Sequence, residues 1–178
     1  MSSPAMPSPY TPAEPLGSCT VLEVPEIPTA VVVRRDYPMY EMPSLMDGTF
    51  SHLGAALAEA GVSPIGAAMS LHHRRPVDTA DLEVGFPIDR PLPGPITLPN
   101  GFEVVASVLP AGRAAMISHV GGYDGLAEAW GAFTEAVGDS GEQMTYPFWE
   151  LYVTEPSPQA DPATMRTDLV TLLEPRES

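Results

Sequence analysis

The chain has 178 residues, enough for one domain of ordinary size with its own hydrophobic core. It carries 23 acidic residues against 8 basic ones, a formal net charge of −15, and every basic residue is an arginine. Nucleic-acid phosphates are bound by clustered basic side chains, so this composition excludes direct nucleic-acid binding and favours cationic partners.

Cysteine content and hydropathy indicate the compartment. Cys19 is the only cysteine, so the chain forms no internal disulfide and no thiolate metal cluster, which is typical of a reducing compartment. The N-terminus has neither the basic region nor the apolar region of a secretory signal, and no apolar run is long enough to cross a bilayer. We therefore predict a cytoplasmic protein that is not inserted in a membrane.

Established catalytic motifs are absent from the sequence. It contains no G-x-S-x-G nucleophile elbow, no G-x-x-x-x-G-K-[ST] phosphate loop, no H-E-x-x-H zinc motif and no G-x-G-x-x-G after a strand. His72 and His73 are neighbours at the end of a candidate strand, so their side chains point to opposite faces and do not bind one metal together. The sequence therefore predicts no cofactor and no metal site.

The first half of the chain begins with a tail and two strands, and a helix follows. Residues 1–18 are rich in Pro, Ser and Ala, and we predict a disordered tail that leaves residues 19–178 as one domain. TVLEV and TAVVVRR are rich in β-branched residues, as strands are. After Pro43, apolar residues recur at helical spacing, with Ser44 as the candidate N-cap and Gly61 as the stop.

The rest of the chain repeats this order of elements. The segments SPIGAAMSLHH, ADLEVGFPID, FEVVASVL and RAAMISHV are predicted to be antiparallel strands. A second helix is predicted to begin near Asp124 and to end at Gly138 or Gly141. The segments FWELYVTE and MRTDLVTLL follow it as the last two strands.

Three pairs of positions indicate an internal duplication. Their offsets of 85, 85 and 83 residues are nearly equal: Ala30 with Ala115, Val84 with Leu169, and Pro64 with Pro147. We therefore predict an α+β domain of two β-α-β-β units, about residues 20–95 and 100–175, related by a pseudo-twofold axis. Each half lays one main helix on antiparallel strands, and the seam between the halves forms a central ligand cleft.

The segment PFWELYVTE places a carboxylate in apolar surroundings. Alternate side chains of a strand point to opposite faces, so Phe148, Glu150 and Tyr152 share one face, while the other face carries Trp149, Leu151 and Val153. A charge without a partner in such surroundings costs on the order of several kcal/mol. Glu150 is therefore the strongest candidate for a functional side chain, beside the alternative of a solvated glutamate on an edge strand.

Four segments carry a resemblance to a known family. DLEVGFPI, LPAGRAAMISHVGGYDGL, PFWELYV and TDLVTLLEP occur in the order and spacing of the GyrI-like small-molecule-binding family, over roughly residues 20–175. This family also supplies the effector domain of multidrug-responsive and AraC-type bacterial regulators. The resemblance implies a duplicated unit around an aromatic pocket in which a glutamate meets lipophilic cations. Here the matching glutamate is Glu150, in the aromatic context of Phe148, Trp149 and Tyr152.

The leading hypothesis is a stand-alone binding protein that recognises or sequesters flat, lipophilic, often cationic aromatic compounds. Glu150 is the charge partner of the ligand, and its aromatic neighbours are candidate walls of the pocket. The duplication brings six weaker candidates near the cleft, for which a place in the core is an equally good interpretation: Tyr37, Tyr40, Met69, Phe86, Trp130 and Tyr146.

Two other functions stay open, both with relatives among stand-alone members of the family. One is a hydrolase that opens the cyclopropane of spirocyclopropyl alkylating natural products, with Glu150 activating water and Tyr152 assisting. The other is a protein-interaction role like that of an inhibitor of DNA gyrase, in which the acidic surface imitates nucleic acid.

Overall fold

The structure, a computed structural model, describes residues 14–154 and 161–175. Within these residues, nine strands form one antiparallel sheet in the order β1-β7-β9-β8-β3-β4-β2-β6-β5. This architecture confirms the predicted α+β class. The strands are β1 (Thr20–Val24), β2 (Ile27–Pro38), β3 (Ala68–His72), β4 (Thr79–Pro87), β5 (Ile96–Thr97), β6 (Glu103–Leu109), β7 (Gly112–Val120), β8 (Met144–Tyr152) and β9 (Arg166–Leu173).

The helices follow the predicted apolar stripes, but their starts differ. They are α1 (Met42–Phe50), α2 (Leu53–Glu59) and α3 (Leu126–Asp139), so the first predicted helix is interrupted after α1. Ser44 lies inside α1, and Asp124 lies in the 3-10 turn before α3, so neither residue is the N-cap. Every helix of the described residues is too short or too polar to span a bilayer.

The outer strands of the two halves share one register. β2 pairs with β4 so that Val32 faces Val84, and β7 pairs with β9 so that Ile117 faces Leu169. Each residue of the second pair follows its counterpart in the first pair by 85 positions, since 117 − 32 and 169 − 84 both equal 85. The duplication inferred from the sequence is therefore a duplication of the strand pairing.

The inner strands β3 and β8 are related by a different offset. Ser70 faces Val84 on β4, and Glu150 faces Leu169 on β9. Ser70 and Glu150 are therefore equivalent positions, 80 residues apart because 150 − 70 equals 80. They also face each other across the β3–β8 pair, so the pseudo-twofold axis passes between them.

The offset of 83 residues taken from Pro64 and Pro147 is wrong. Pro64 lies before β3, whereas Pro147 lies within β8. The pairing of β8 with β9 shifts register between Met144 and Phe148, and this irregularity changes the count of residues along the strand.

Short connections force the sheet to curl. Val24 ends β1 and Ile27 begins β2, although five other strands lie between β1 and β2 in the sheet. Two intervening residues span at most about 11 Å, so the two ends of the sheet approach each other. The connection between β6 and β7 is equally short, because β6 ends at Leu109 and β7 begins at Gly112.

The curled sheet encloses one core and carries two others beneath the helices. The enclosed core gathers residues from β1, β2, β3, β6, β7, β8 and β9, among them Val24, Met69 and Trp149. On the other face, α1 and α2 pack on the first half, and α3 packs on the second half through Phe133 and Val137. The seam between the halves therefore lies on the helix-bearing face.

Leu16 corrects the predicted boundary of the tail. Its backbone N–H donates to Ser118 Oγ at 2.8 Å, and its carbonyl accepts from the Ser118 N–H at 3.0 Å. Its side chain packs against the enclosed core, which gives this part of the predicted tail a fixed place. Residues 1–13, the rest of the predicted tail, lie outside the described residues.

Candidate functional site: the cleft between the halves

The floor of the seam is built from alternate residues of the two central strands. Their helix-facing side chains are paired across the β3–β8 register: Ala68 with Tyr152, Ser70 with Glu150, and His72 with Phe148. Alternation along β8 turns Trp149 and Leu151 to the opposite face, where both belong to the enclosed core. The sequence pattern of PFWELYVTE thus places its glutamate at the centre of the seam.

Glu150 is held by two aromatic donors. The indole Nε1–H of Trp130, on α3, donates to Glu150 Oε2 at 2.7 Å. The hydroxyl of Tyr152 donates to Glu150 Oε1 at 2.8 Å. The same hydroxyl lies 2.7 Å from Ser70 Oγ, and because a phenol has one proton, Ser70 donates to Tyr152.

Among the residues that the structure describes, the carboxylate of Glu150 has no cationic partner. The side-chain ion pairs of the described residues join other groups, such as Arg74 with Asp81 and Arg166 with Asp168, and none includes Glu150. Burial, and next the charge of Glu150, raise the pKa of Tyr152 well above its ordinary value of 10. The hydroxyl therefore stays protonated and keeps donating to the carboxylate.

A cavity of about 820 Å³ opens beside Tyr152. We call it the central cleft. Its walls come from both halves, and most of its lining side chains are apolar or aromatic: Met42, Met46, Phe50, Phe86, Tyr123, Leu126 and Tyr152. Glu150 lies behind Tyr152 and does not line the cavity itself. The cleft therefore offers flexible and aromatic walls, with the Asp47 carboxylate in its lining and the Glu150 carboxylate one side chain away behind Tyr152.

Besides Tyr152, four of the predicted site residues cluster around Glu150 or the cleft. Trp130 packs on Phe148 with ring centroids 4.7 Å apart, while it binds Glu150. Tyr146 also packs on Phe148, at 5.9 Å, and is half exposed. Phe86 lines the cleft and contacts Phe50 edge to face at 5.5 Å.

The other four predicted residues lie elsewhere. Trp149 and Met69 are buried in the enclosed core, on the face of the sheet away from the cleft. Tyr40 is 84% exposed. Tyr37 packs at the edge of the core under α1, and its hydroxyl donates to the Glu41 carbonyl at 3.1 Å. None of these four lines the central cleft.

His72, the last residue of β3, lies in the floor of the seam opposite Phe148. Its side chain is buried in the floor of the seam and stacks on Phe148 with ring centroids 5.1 Å apart and planes at 15°. Burial, and secondly His73, lower its pKa from 6.5 to about 4. Its Nδ1 has no hydrogen-bond partner among the described residues. The alternation of β3 is the signal that could have placed His72 beside Ser70.

The opposite face of the sheet carries a buried acid, Glu83 on β4. Glu83 is 7% exposed, and its Oε2 lies 2.5 Å from His73 Nε2. The structure thus separates two carboxylates, Glu83 with a histidine partner and Glu150 with neutral donors. No three His, Cys, Asp or Glu side chains of the described segments are arranged to hold a metal ion.

Sequence comparison identifies the family. The model of the GyrI-like small molecule binding domain matches residues 18–172. The chain belongs to this family. A GyrI-like domain of this kind binds small molecules, which agrees with a cavity at the seam of the duplicated fold. No curated protein matches the chain in sequence.

Solved structures share the fold of this GyrI-like chain. The EcmrR C-terminal domain is 19% identical, with a TM-score of 0.69 over 88% of this chain and 97% of that one. SAV2435, solved bound to tetraphenylphosphonium, is 7% identical, with a TM-score of 0.63 over 88% and 94%. A hydrolase from Listeria innocua is 13% identical, with a TM-score of 0.58 over 91% and 94%.

Proposed function

We propose that this protein binds flat, lipophilic, often cationic aromatic compounds in the central cleft, with Glu150 as the charge partner. The observation that carries the proposal is the charge of Glu150, whose two oxygens accept hydrogen bonds, within residues 14–154 and 161–175, from the neutral donors Trp130 and Tyr152 and from no cation. Neutral donors stabilise a carboxylate without cancelling its charge. A delocalised cation in the cleft supplies the missing positive charge.

Tyr152 connects the ligand to the carboxylate. Its ring lines the cleft, and its hydroxyl donates to Glu150. Donation to an anion makes the phenol ring more electron-rich, and an electron-rich ring attracts a cation that lies against its face. A cation stacked on Tyr152 therefore interacts with the ring directly and with Glu150 at longer range. A weakly hydrated aromatic cation also costs less to desolvate than an ammonium group.

The walls support binding of several related compounds. Met42 and Met46 on α1 present flexible, polarisable side chains, and Phe50, Phe86 and Tyr123 present rings. SAV2435, which shares the fold, was solved with the aryl cation tetraphenylphosphonium. We extend that chemistry to this chain on the strength of its own cleft and of Glu150, and propose a role in multidrug recognition or sequestration.

Binding of two matched probes tests this proposal. The probes are 10-methylacridinium, a flat cation, and acridine, a neutral molecule of similar shape at pH 8. Isothermal calorimetry on the wild-type protein should show saturable one-to-one binding of both probes, with tighter binding of the cation at low salt. Lack of saturable binding of 10-methylacridinium contradicts the proposal.

Two lysine substitutions, one in the cleft and one outside it, test whether the probes bind in the cleft. Met46→Lys adds a positive charge to the lining of the cleft. It should therefore weaken binding of 10-methylacridinium more than binding of acridine. Val77→Lys adds the same charge at a side chain that is 68% exposed and is not part of the lining. Val77→Lys should leave both affinities near the wild-type values. Equal effects of the two variants would place the binding site elsewhere.

A hydrolase is the second candidate function. The hydroxyl of Tyr152 bridges Ser70 and Glu150 at 2.7 and 2.8 Å, which fixes a proton donor beside a carboxylate at the edge of the cleft. Such a pair can activate water against an electrophilic cyclopropane. Mass analysis after incubation with a spirocyclopropyl compound distinguishes the candidates. A ring-opened product one water heavier supports the enzyme, and recovery of the intact compound supports the binding protein.

A further inference from the structure

The pseudo-twofold axis makes each half a template for the other. Because Ser70 is equivalent to Glu150, the neighbouring floor residues are equivalent at the same offset of 80 positions. Ala68 thus corresponds to Phe148, since 148 − 68 equals 80, and His72 corresponds to Tyr152, since 152 − 72 equals 80.

The helices follow the same offset. Gly61 and Gly141, 80 positions apart, come just after α2 and α3 with φ angles of 74° and 80°. Leu53 and Phe133, also 80 positions apart, are both fully buried beneath their helices. Phe50 therefore corresponds to Trp130. Both are half-buried residues on the side of the helix that faces the seam.

In the second half, an aromatic ring fills the space above the floor. Phe148 stacks on His72 at 5.1 Å and packs against Trp130 at 4.7 Å. At the symmetry-related place beneath α1, the counterparts of His72 and Trp130 are Tyr152 and Phe50, and both line the central cleft. The counterpart of Phe148 is Ala68, which also lines the cleft but ends in a methyl group. The place that the Phe148 ring occupies is therefore not filled by the Ala68 side chain, and the Tyr123 ring borders it, edge to face with Tyr152 at 5.9 Å.

We propose that this open place is an aryl subsite, in which a single aromatic ring of the ligand lies above Ala68 and against Tyr152 and Phe50. The inference rests on the proposed function and specifies where the ligand binds and what shape it has there. A ring in this place repeats a packing arrangement that the protein already uses around Phe148.

The subsite also fixes where the ligand carries its charge. Ser70 and Glu150 form the next pair of floor residues on the same face, about 7 Å from Ala68 and Tyr152 along the strands. A positive charge one or two bonds from the ring, on the side towards the pseudo-twofold axis, therefore lies nearest to Glu150. The preferred class is an aryl compound whose cationic centre is in the ring or directly attached to it.

Ala68→Phe fills the proposed subsite from the protein itself. The new ring should raise the melting temperature or leave it unchanged, because it packs against Tyr152 and Phe50 as Phe148 packs in the other half. It should weaken binding of 10-methylacridinium by about tenfold or more, since ring and ligand compete for one place. If Ala68→Phe does not fold, Ala68→Leu, which also fills the space above the floor, replaces it in both measurements.

The reciprocal variant distinguishes competition from general damage. Phe148→Ala removes the ring of the other half, so the double variant Ala68→Phe, Phe148→Ala moves the open place between His72 and Trp130. This double variant should regain affinity for 10-methylacridinium relative to Ala68→Phe alone. A folded Ala68→Phe protein with wild-type affinity would overturn the subsite.

The proposed function and the subsite fail in different ways. If the wild-type protein does not bind 10-methylacridinium, the proposed function is contradicted, and the subsite is contradicted with it. A wild-type protein that binds the probe, together with a folded Ala68→Phe variant that binds it equally well, removes the subsite and leaves the proposed function standing. A lowered melting temperature of folded Ala68→Phe also contradicts the open place above Ala68.

Discussion

Ser70 on β3 and Glu150 on β8 face each other at the pseudo-twofold axis, and they are the same position in the two halves of the chain. The Tyr152 hydroxyl bridges them, at 2.7 Å from Ser70 Oγ and 2.8 Å from Glu150 Oε1. One half thus supplies a neutral hydroxyl and the other a charge. The seam is symmetric in its backbone pairing and asymmetric in its chemistry, because the charge lies only on the β8 side of the axis, behind the Tyr152 ring that lines the cleft.

The hydrogen bond from Trp130 to Glu150 should contribute measurably to stability. Trp130→Phe keeps a ring against Phe148 but removes the Nε1–H that Glu150 Oε2 accepts. The free energy of unfolding should fall by about 1 kcal/mol, because a half-buried acceptor loses a charge-assisted bond. Urea denaturation followed by circular dichroism measures the change.

A double-mutant cycle assigns that change to the Trp130–Glu150 pair. In a Glu150→Gln background, Trp130→Phe should lower the free energy of unfolding by less than it does in the wild type, because the acceptor is no longer charged. The same loss in both backgrounds would show that the indole contributes through packing alone.

His72 should make stability depend on pH. Its folded pKa of about 4 lies below its ordinary value of 6.5, so between these values the unfolded chain binds a proton that the folded protein excludes. Stability therefore falls as the pH falls from about 6.5 to about 4, and it is restored as the pH rises. Between pH 7.5 and pH 5, protonation linked to this side chain alone should lower the free energy of unfolding by about 2 kcal/mol.

His72→Phe removes this titration and keeps a ring for stacking on Phe148. Urea denaturation at pH 7.5 and pH 5 should show a smaller loss of stability on acidification for His72→Phe than for the wild type. Equal losses in the wild type and in His72→Phe would contradict the burial of a neutral imidazole.

Gly85 on β4 should be intolerant of any side chain. A Cβ at this position would overlap the carbonyl oxygen of Ala30 on β2, where the paired strands come together in the curled sheet. Gly85→Ala should lower the free energy of unfolding by about 2 kcal/mol or more, as overpacking does. Gly54→Ala, in α2 with no atom within 4 Å of the new Cβ, should instead stabilise by about 0.5–1 kcal/mol. Similar effects of the two changes would contradict the close approach.

Most of the fold could be predicted because alternation and β-branched residues mark strands directly. The segments TVLEV and FEVVASVL correspond closely to β1 and β6, and the repeat of strands and helices predicted the duplication. The two-residue strand Ile96–Thr97 was missed because it has no pattern of its own and forms through pairing with β6. The helix starts were missed because neither α1 nor α3 begins at a capping side chain. Each of them continues from a 3-10 turn.

The site was predictable only where a single strand defines it. Alternation in β8 placed Glu150 with Phe148 and Tyr152, but the partner strand determines what lies opposite each of them. The choice of Trp149 and Met69 as walls failed to identify the face, because both faces of β3 and β8 are apolar and the curl of the sheet encloses one of them. Met42, Met46 and Phe50 line the cleft through the packing of α1, which no local pattern reveals.

The role of Glu150 as the charge partner of a cationic ligand is tested most directly by Glu150→Gln. The amide keeps the size of the side chain and an acceptor for Trp130, but it removes the charge. Glu128→Gln, an exposed position on α3, removes one negative charge away from the cleft and is the matched control. Calorimetry with 10-methylacridinium and acridine at low and moderate salt gives the affinities of the three proteins.

Glu150→Gln should weaken binding of 10-methylacridinium by about tenfold or more, which is roughly 1.4 kcal/mol, and should affect binding of acridine much less. Glu128→Gln should change either affinity only slightly, and less at moderate salt. Equal losses of affinity for both ligands in Glu150→Gln, or no loss for either, would contradict the role of Glu150 as charge partner. Glu150 would then be a structural acceptor for Trp130 and Tyr152.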